Sequence, residues 1–137
     1  MWSFLSIRST NNQVILLVDD EKDVLNLFCE YLHNCGYQTI SFDNPINALN
    51  YIFNNNISNC SLIITDYKMP EMNGVDFIKK IREKNSSNLR LKIILISAFT
   101  KDNLDVQRIT NSLKIDKIIE KPIRLEHFKE EVEKLMK

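Results

Sequence analysis

The 137-residue chain is 44% hydrophobic and 26% charged, with 18 Lys plus Arg against 18 Asp plus Glu. That length suits one domain with a full core, and the composition is not that of a disordered chain. A formal charge of zero gives no basic excess for nucleic acid, and no apolar run approaches the roughly 18–20 residues of a membrane span.

The opening MWSFLSIRSTNNQ lacks the basic start and long apolar core of a signal peptide. Residues 1–12 are expected to form a flexible N-terminal extension, with Trp2, Phe4, Leu5 and Ile7 available to dock on the domain or on a partner. The domain itself is expected over residues 13–137. VILLV (Val14–Val18) is a continuous aliphatic run, the pattern of a strand buried on both faces. Glu21–Asn34 follows at helical spacing, facing inward through Val24, Phe28, Tyr31, Leu32 and Cys35, with Gly36 where a C-terminal glycine belongs. YQTISF is the second strand, and Asn44-Pro45 reads as a cap plus first-turn proline for a helix to about Phe53. An Asn-rich loop (Asn54–Asn59) leads to the third strand, Ser61–Thr65, and Asn73 can cap the next helix, which buries Phe77, Ile78 and Ile81. Leu91–Ile96 is the fourth strand. Thr100 is expected to cap a fourth helix with few apolar anchors, Leu104, Ile109 and Leu113. IDKII is the fifth strand, and the last helix buries Leu125, Phe128, Val132 and Leu135. Cys29, Cys35 and Cys60 show no Cys-x-x-Cys spacing and read as reduced thiols of a cytoplasmic protein.

Five strand–helix pairs in alternation predict an α/β fold, a parallel sheet with helices on both faces. In such sheets ligands bind outside the carboxyl ends of the strands. After strand one stand Asp19, Asp20 and Glu21; after strand three, Asp66; after strand four, Ser97; after strand five, Glu120, Lys121 and Pro122. Clustered acids repel one another, so their convergence calls for a cation, and hard oxygen ligands suit Mg²⁺. Asp66 is then a nucleophile able to take a phosphoryl group, Lys121 a fixed positive charge for its oxygens, and Ser97 a hydroxyl donor. Taken singly, Asp20 could cap a helix, Asp66 could pair with Lys121 and Ser97 could be a loop residue. The conjunction at successive strand ends favours chemistry.

The segments LLVDDE, IITDYKMPEMNG, ILISA and IIEKPI, in that order and spacing, resemble the receiver domain of two-component response regulators. The resemblance spans Val14 to about Met136. It implies a doubly wound, flavodoxin-like five-stranded sheet in the order 2-1-3-4-5 with five helices. It also implies phosphorylation by a sensor histidine kinase or a phosphotransfer protein. Asp66 matches the phosphoacceptor, Asp20 the direct metal ligand, and Asp19 a neighbour acting largely through water. Lys68 matches the position whose backbone carbonyl binds the metal, and Ser97 and Lys121 match the groups that grip the phosphoryl. Pro70 and Gly74 match the loop framing the acceptor, where Gly74 is expected to allow a positive φ. Lys68 and Phe99 match positions flanking the path of the hydrolytic water. The Lys121–Pro122 bond is expected to be cis. Such a domain is a phosphoacceptor that catalyses its own phosphoryl transfer and autodephosphorylation rather than an enzyme with a separate substrate.

One position departs from the pattern. Three residues before the lysine the family usually carries Tyr or Phe, and here stands Ile118. The response is therefore expected to run through Ala98–Thr100 and the polar fourth helix, with the face of helix four, strand five and helix five meeting a downstream protein. No effector domain follows the fifth helix, so a stand-alone receiver is expected. A flavodoxin-like phosphate binder is disfavoured because Asp19-Asp20-Glu21 would repel the phosphate. An Asp-x-Asp phosphatase is disfavoured because Lys68 takes the place of the second acid. The runner-up is a receiver-fold interaction module acting without phosphorylation.

Overall fold

The structure, a computed structural model, describes residues 13–84, 91–98 and 105–136. Along the chain run β1 (Val14–Val18), α1 (Lys22–Asn34), β2 (Gln38–Phe42), α2 (Pro45–Asn54) and β3 (Cys60–Asp66). There follow α3 (Gly74–Lys84), β4 (Lys92–Ser97), α4 (Val106–Leu113), β5 (Lys117–Glu120) and α5 (Leu125–Met136). The strands are all parallel in the order β2-β1-β3-β4-β5, the doubly wound arrangement expected.

Successive strand residues point to opposite faces, so each apolar run feeds two cores. Leu16, Val18, Ile63 and Leu95 meet α2, α3 and α4 through Leu49, Phe77, Ile78 and Ile109. Ile15, Leu17, Ile64 and Ile96 meet α1 and α5 through Phe28, Leu32, Phe128 and Val132. All five residues of β1 are buried, whereas the residues of the edge strand β2 are partly buried or exposed. Each fully buried Leu, Ile or Phe contributes about 1.5–3 kcal/mol, so the two cores hold the sheet edge in place.

The helix ends follow the sequence signals with informative exceptions. Asn44 Oδ1 accepts from the N–H groups of Ile46 (2.8 Å) and Asn47 (3.1 Å), with Pro45 at the first helical turn. Asn73 Oδ1 accepts from Asp76 N at 2.9 Å. α1 closes on Gly36, whose φ of 95° suits glycine. In α1 the buried residues are Leu25, Phe28 and Leu32, while Val24 and Tyr31 only flank the core. The stripe is rotated towards Leu25, which lies outside the face that the spacing predicts. α4 is capped by Asp105, whose Oδ1 accepts from Arg108 N at 3.1 Å. Thr100 and Leu104, expected to open that helix, lie outside the described residues, as do the expected extension over residues 1–12 and Phe99. Ile109 is buried and Leu113 packs beside the core, as expected. The Arg82 guanidinium also ties α4 down, donating to the carbonyls of Leu91 (3.0 Å), Leu113 (3.0 Å) and Lys114 (2.8 Å).

Candidate functional site

Parallel pairing aligns the strand ends. Val18 lies beside Phe42 and Thr65, Asp66 beside Ile96, and Ser97 beside Glu120. Backbone bonds carry the register just past the strands: Asp19 N donates to Phe42 O (3.1 Å), Tyr67 N to Ile96 O (2.8 Å) and Lys121 N to Ser97 O (3.0 Å). The residues after β1, β3, β4 and β5 are thereby brought to one edge.

Asp66 is 2% exposed and Asp19 5%. A carboxylate oxygen from each of Asp19, Asp20 and Asp66 lies within 4.8 Å of the others. Lys121 Nζ stands 2.9 Å from Asp66 Oδ1, which also accepts from Tyr67 N at 3.0 Å. Asp19 Oδ1 accepts from Glu21 N at 2.9 Å, so Asp19, rather than Asp20, bonds the backbone entering α1. Ser97 is fully buried at the end of β4. Lys68 is exposed two residues past Asp66.

Burial costs these acids the solvation of their charged forms. It pushes the Asp19 carboxyl up to about 6; the Glu21 N–H opposes this, Asp66 adds to it and Lys121 opposes it. Burial likewise raises Asp66, against the hydrogen bond and charge of Lys121 and the Tyr67 N–H. Burial disfavours the Lys121 ammonium, but its bond and attraction to Asp66, with Asp19 and Glu21 adding, outweigh it and hold its pKa above the ordinary lysine value. Three acids crowded beside one cation, two of them buried, fit a hard divalent cation: carboxylate oxygens are its preferred ligands and its charge relieves their repulsion.

The β3–α3 loop owes its shape to close approach rather than to torsional freedom at Gly74. A Cβ at Gly74 would run into the Asp66 carbonyl oxygen, with Leu95 Cδ1 only 2.9 Å away. Gly74 N donates to Tyr67 O at 2.7 Å, drawing the start of α3 onto the residue after Asp66. The positive φ expected at Gly74 falls instead on Glu71, at 72°, whose carboxylate accepts from Asn44 Nδ2 at 2.7 Å. Met69, 8% exposed, anchors the loop in the core. The Lys121–Pro122 peptide is cis, as the resemblance implies. Ile118 pairs in register with Leu95 and packs partly buried against the α2–α3–α4 core.

A five-stranded doubly wound domain with an acid cluster and a lysine at its carboxyl edge defines the receiver class. The profile of the response regulator receiver domain matches residues 15–133, and the chain belongs to that family. Over 114 residues it is 36% identical to the chemotaxis protein CheV1 of Helicobacter pylori, covering 81% of this chain and 34% of that protein. The chain thus spans about a third of that relative's length. It is 29% identical to the response regulator receiver protein CpdR of Brucella abortus, covering 89% of this chain and 95% of that one. Among solved structures it is similar to the response regulator TrrA of Thermotoga maritima in complex with Mg²⁺–BeF. That match has 31% identity and a TM-score of 0.73, over 90% of this chain and 98% of that one.

Proposed function

We propose that residues 13–137 form a receiver that accepts a phosphoryl group on Asp66 from a sensor histidine kinase or phosphotransfer protein in a Mg²⁺-dependent reaction. The observation that carries this reading is the buried Asp66 carboxylate, 2.9 Å from Lys121 and clustered with Asp19 and Asp20. A carboxylate oxygen of Asp66 attacks the phosphorus; the P–O bond forms as the bond to the donor's nitrogen breaks, leaving an aspartyl phosphate. Lys121 then turns from Asp66 to a phosphoryl oxygen, and the Ser97 hydroxyl donates to another. Asp20, Asp66 and the Lys68 backbone carbonyl would hold the cation, with Asp19 acting through water. Bound Mg²⁺ would supply charge neutralisation at the transferring group. The TrrA complex with Mg²⁺–BeF supports this assignment by likeness.

Later hydrolysis of the aspartyl phosphate, past Lys68 and Phe99, would return the domain to rest. Signalling passes to a downstream protein through the face of α4, β5 and α5. The domain is read as cytoplasmic, with no nucleic-acid or membrane partner; among the described residues no helix is long and apolar enough to cross a membrane. The test is incubation with Mg²⁺ and a small acyl-phosphate donor, read by intact mass. A single added phosphoryl group, absent in EDTA, is expected. No addition with Mg²⁺ present would overturn the proposal.

A further inference from the structure

Beside the acid cluster an open groove of about 660 Å³ runs between α1 and the start of α5. That volume suits a small organic molecule. Its floor is apolar: Val24, Leu27, Phe28, Ile96, Ile123 and Leu125 line it. Among the described residues the large hydrophobic side chains left exposed are Leu27, at 51%, and Phe53, at 39%. Phe53 lies under the Lys84 ammonium, 5.7 Å from its ring centroid. Leu27 instead opens onto the groove. The charged lining gathers at the end where the strands stop: Asp19, Glu21, Glu120 and Lys121 stand there. From that edge α1 carries the apolar lining away, and Glu21 to Phe28 spans about 10 Å at the helical rise. Three carboxylates outnumber the one ammonium, and Lys121 is already held by Asp66 at 2.9 Å. Among the described residues neither Glu21 nor Glu120 has an ion-pair partner, and both are exposed.

We propose that this groove binds a small amphipathic cation, an ammonium carried on an apolar alkyl or aryl body. The head meets the carboxylates of Glu21 and Glu120, and the body lies on Phe28, Ile123 and Leu125 towards Leu27. Charge selects the class of ligand. Apolar walls beside carboxylates focus their field into the cleft, which concentrates cations and repels anions. An anionic amphiphile would make the same apolar contacts but would set its head against three acids. A neutral one would gain nothing from Glu21 and Glu120. The shape of the lining sets the length, since charge lies at one end and apolar surface continues for about 10 Å along α1. The binding does not depend on phosphoryl chemistry. If Asp66 is the acceptor, as proposed above, an occupant beside Asp19 and Lys121 narrows the donor's approach, and that consequence alone rests on that reading.

The probe is 4-phenylbutylammonium, set against 4-phenylbutanol and 4-phenylbutyrate, which keep the body and change the head. Each is titrated into the full chain in EDTA and followed by NMR. The ammonium should bind at least about tenfold more tightly than the carboxylate, with the alcohol between them. Shifts should gather at Val24, Leu27, Ile123 and Leu125. Glu21→Gln combined with Glu120→Gln, both at exposed positions, should weaken the ammonium several-fold and leave the alcohol unchanged. Leu27→Ser should weaken both. Three results would each overturn the proposal: no saturable binding of the ammonium, carboxylate binding as tight as that of the ammonium, or shifts that avoid the groove. Ammonium affinity unchanged in the Glu21→Gln, Glu120→Gln protein would overturn it too.

Discussion

Asp19→Asn is expected to stabilise the metal-free domain. The buried Asp19 carboxyl titrates near 6 in the folded state, against an ordinary value of 3.8. A pKa raised on folding means that the folded state holds the proton more tightly, so stability falls as pH rises from about 4 to about 6 and stays reduced above that. Each pKa unit corresponds to about 1.4 kcal/mol, which puts the cost of ionised Asp19 on the order of 3 kcal/mol at neutral pH. Asparagine keeps an oxygen to accept from Glu21 N and removes the charge. The Lys121 attraction is already contained in that figure, so the expected gain is up to about 3 kcal/mol at pH 7.5, less whatever the asparagine amide loses in packing, and it shrinks towards zero near pH 4. Urea unfolding in EDTA at both pH values measures it. In saturating Mg²⁺ the advantage should shrink or reverse, because the wild type gains more from the cation. A variant less stable than wild type at neutral pH without metal, or a gain equally large at pH 4, would refute the reasoning.

Other substitutions probe other contacts. Gly74→Ala should lower stability by about 2 kcal/mol or more, since the new methyl meets the Asp66 backbone carbonyl rather than a movable side chain; unfolding that matches wild type would remove the close-approach argument. Arg82→Ala should cost about 2–3 kcal/mol, leaving three carbonyls without their charged donor. Arg82→Lys should recover only part of that loss, because an ammonium lacks the planar fork; full recovery in chemical denaturation would count against the clamp. Adding Mg²⁺ and beryllofluoride should shift NMR signals at Ser97, Ala98 and α4 while leaving Ile118 little changed. Shifts confined to the acid loops, or a new rotamer at Ile118, would redirect the output path.

The strands were legible because VILLV, SLIIT and KIILI are buried on both faces and leave no polar side to confuse the period; their order followed only from the resemblance to receiver domains. The site was legible for a related reason: parallel strands end at one edge, so the polar residues that close the runs, Asp19, Asp66, Ser97 and Lys121, are brought to that edge together. Features set by distant parts of the chain were not. The Arg82 clamp joins residues 31 and 32 positions apart, and nothing near Arg82 announces its carbonyl partners. At Gly74 the motif marked the right residue, but the reason lies in the approach of Asp66 O and Leu95. The positive φ of Glu71 breaks the propensity rule and is accompanied by the bond from Asn44. In α1, a short helix whose positions 24, 25, 28, 31 and 32 are all apolar can turn either of two overlapping stripes inward, and packing against α5 selects Leu25 and Phe28.

The central claim is that strand ends converge to make Asp66 the acceptor, and chemical trapping tests it most directly. Borohydride reduces an acyl phosphate to the alcohol, so treating the phosphorylated protein should convert residue 66 to homoserine. Peptide mass mapping should find that change at position 66 alone, and only after incubation with donor and Mg²⁺. Reduction at another residue, or phosphoryl incorporation that persists in Asp66→Asn, would contradict the account.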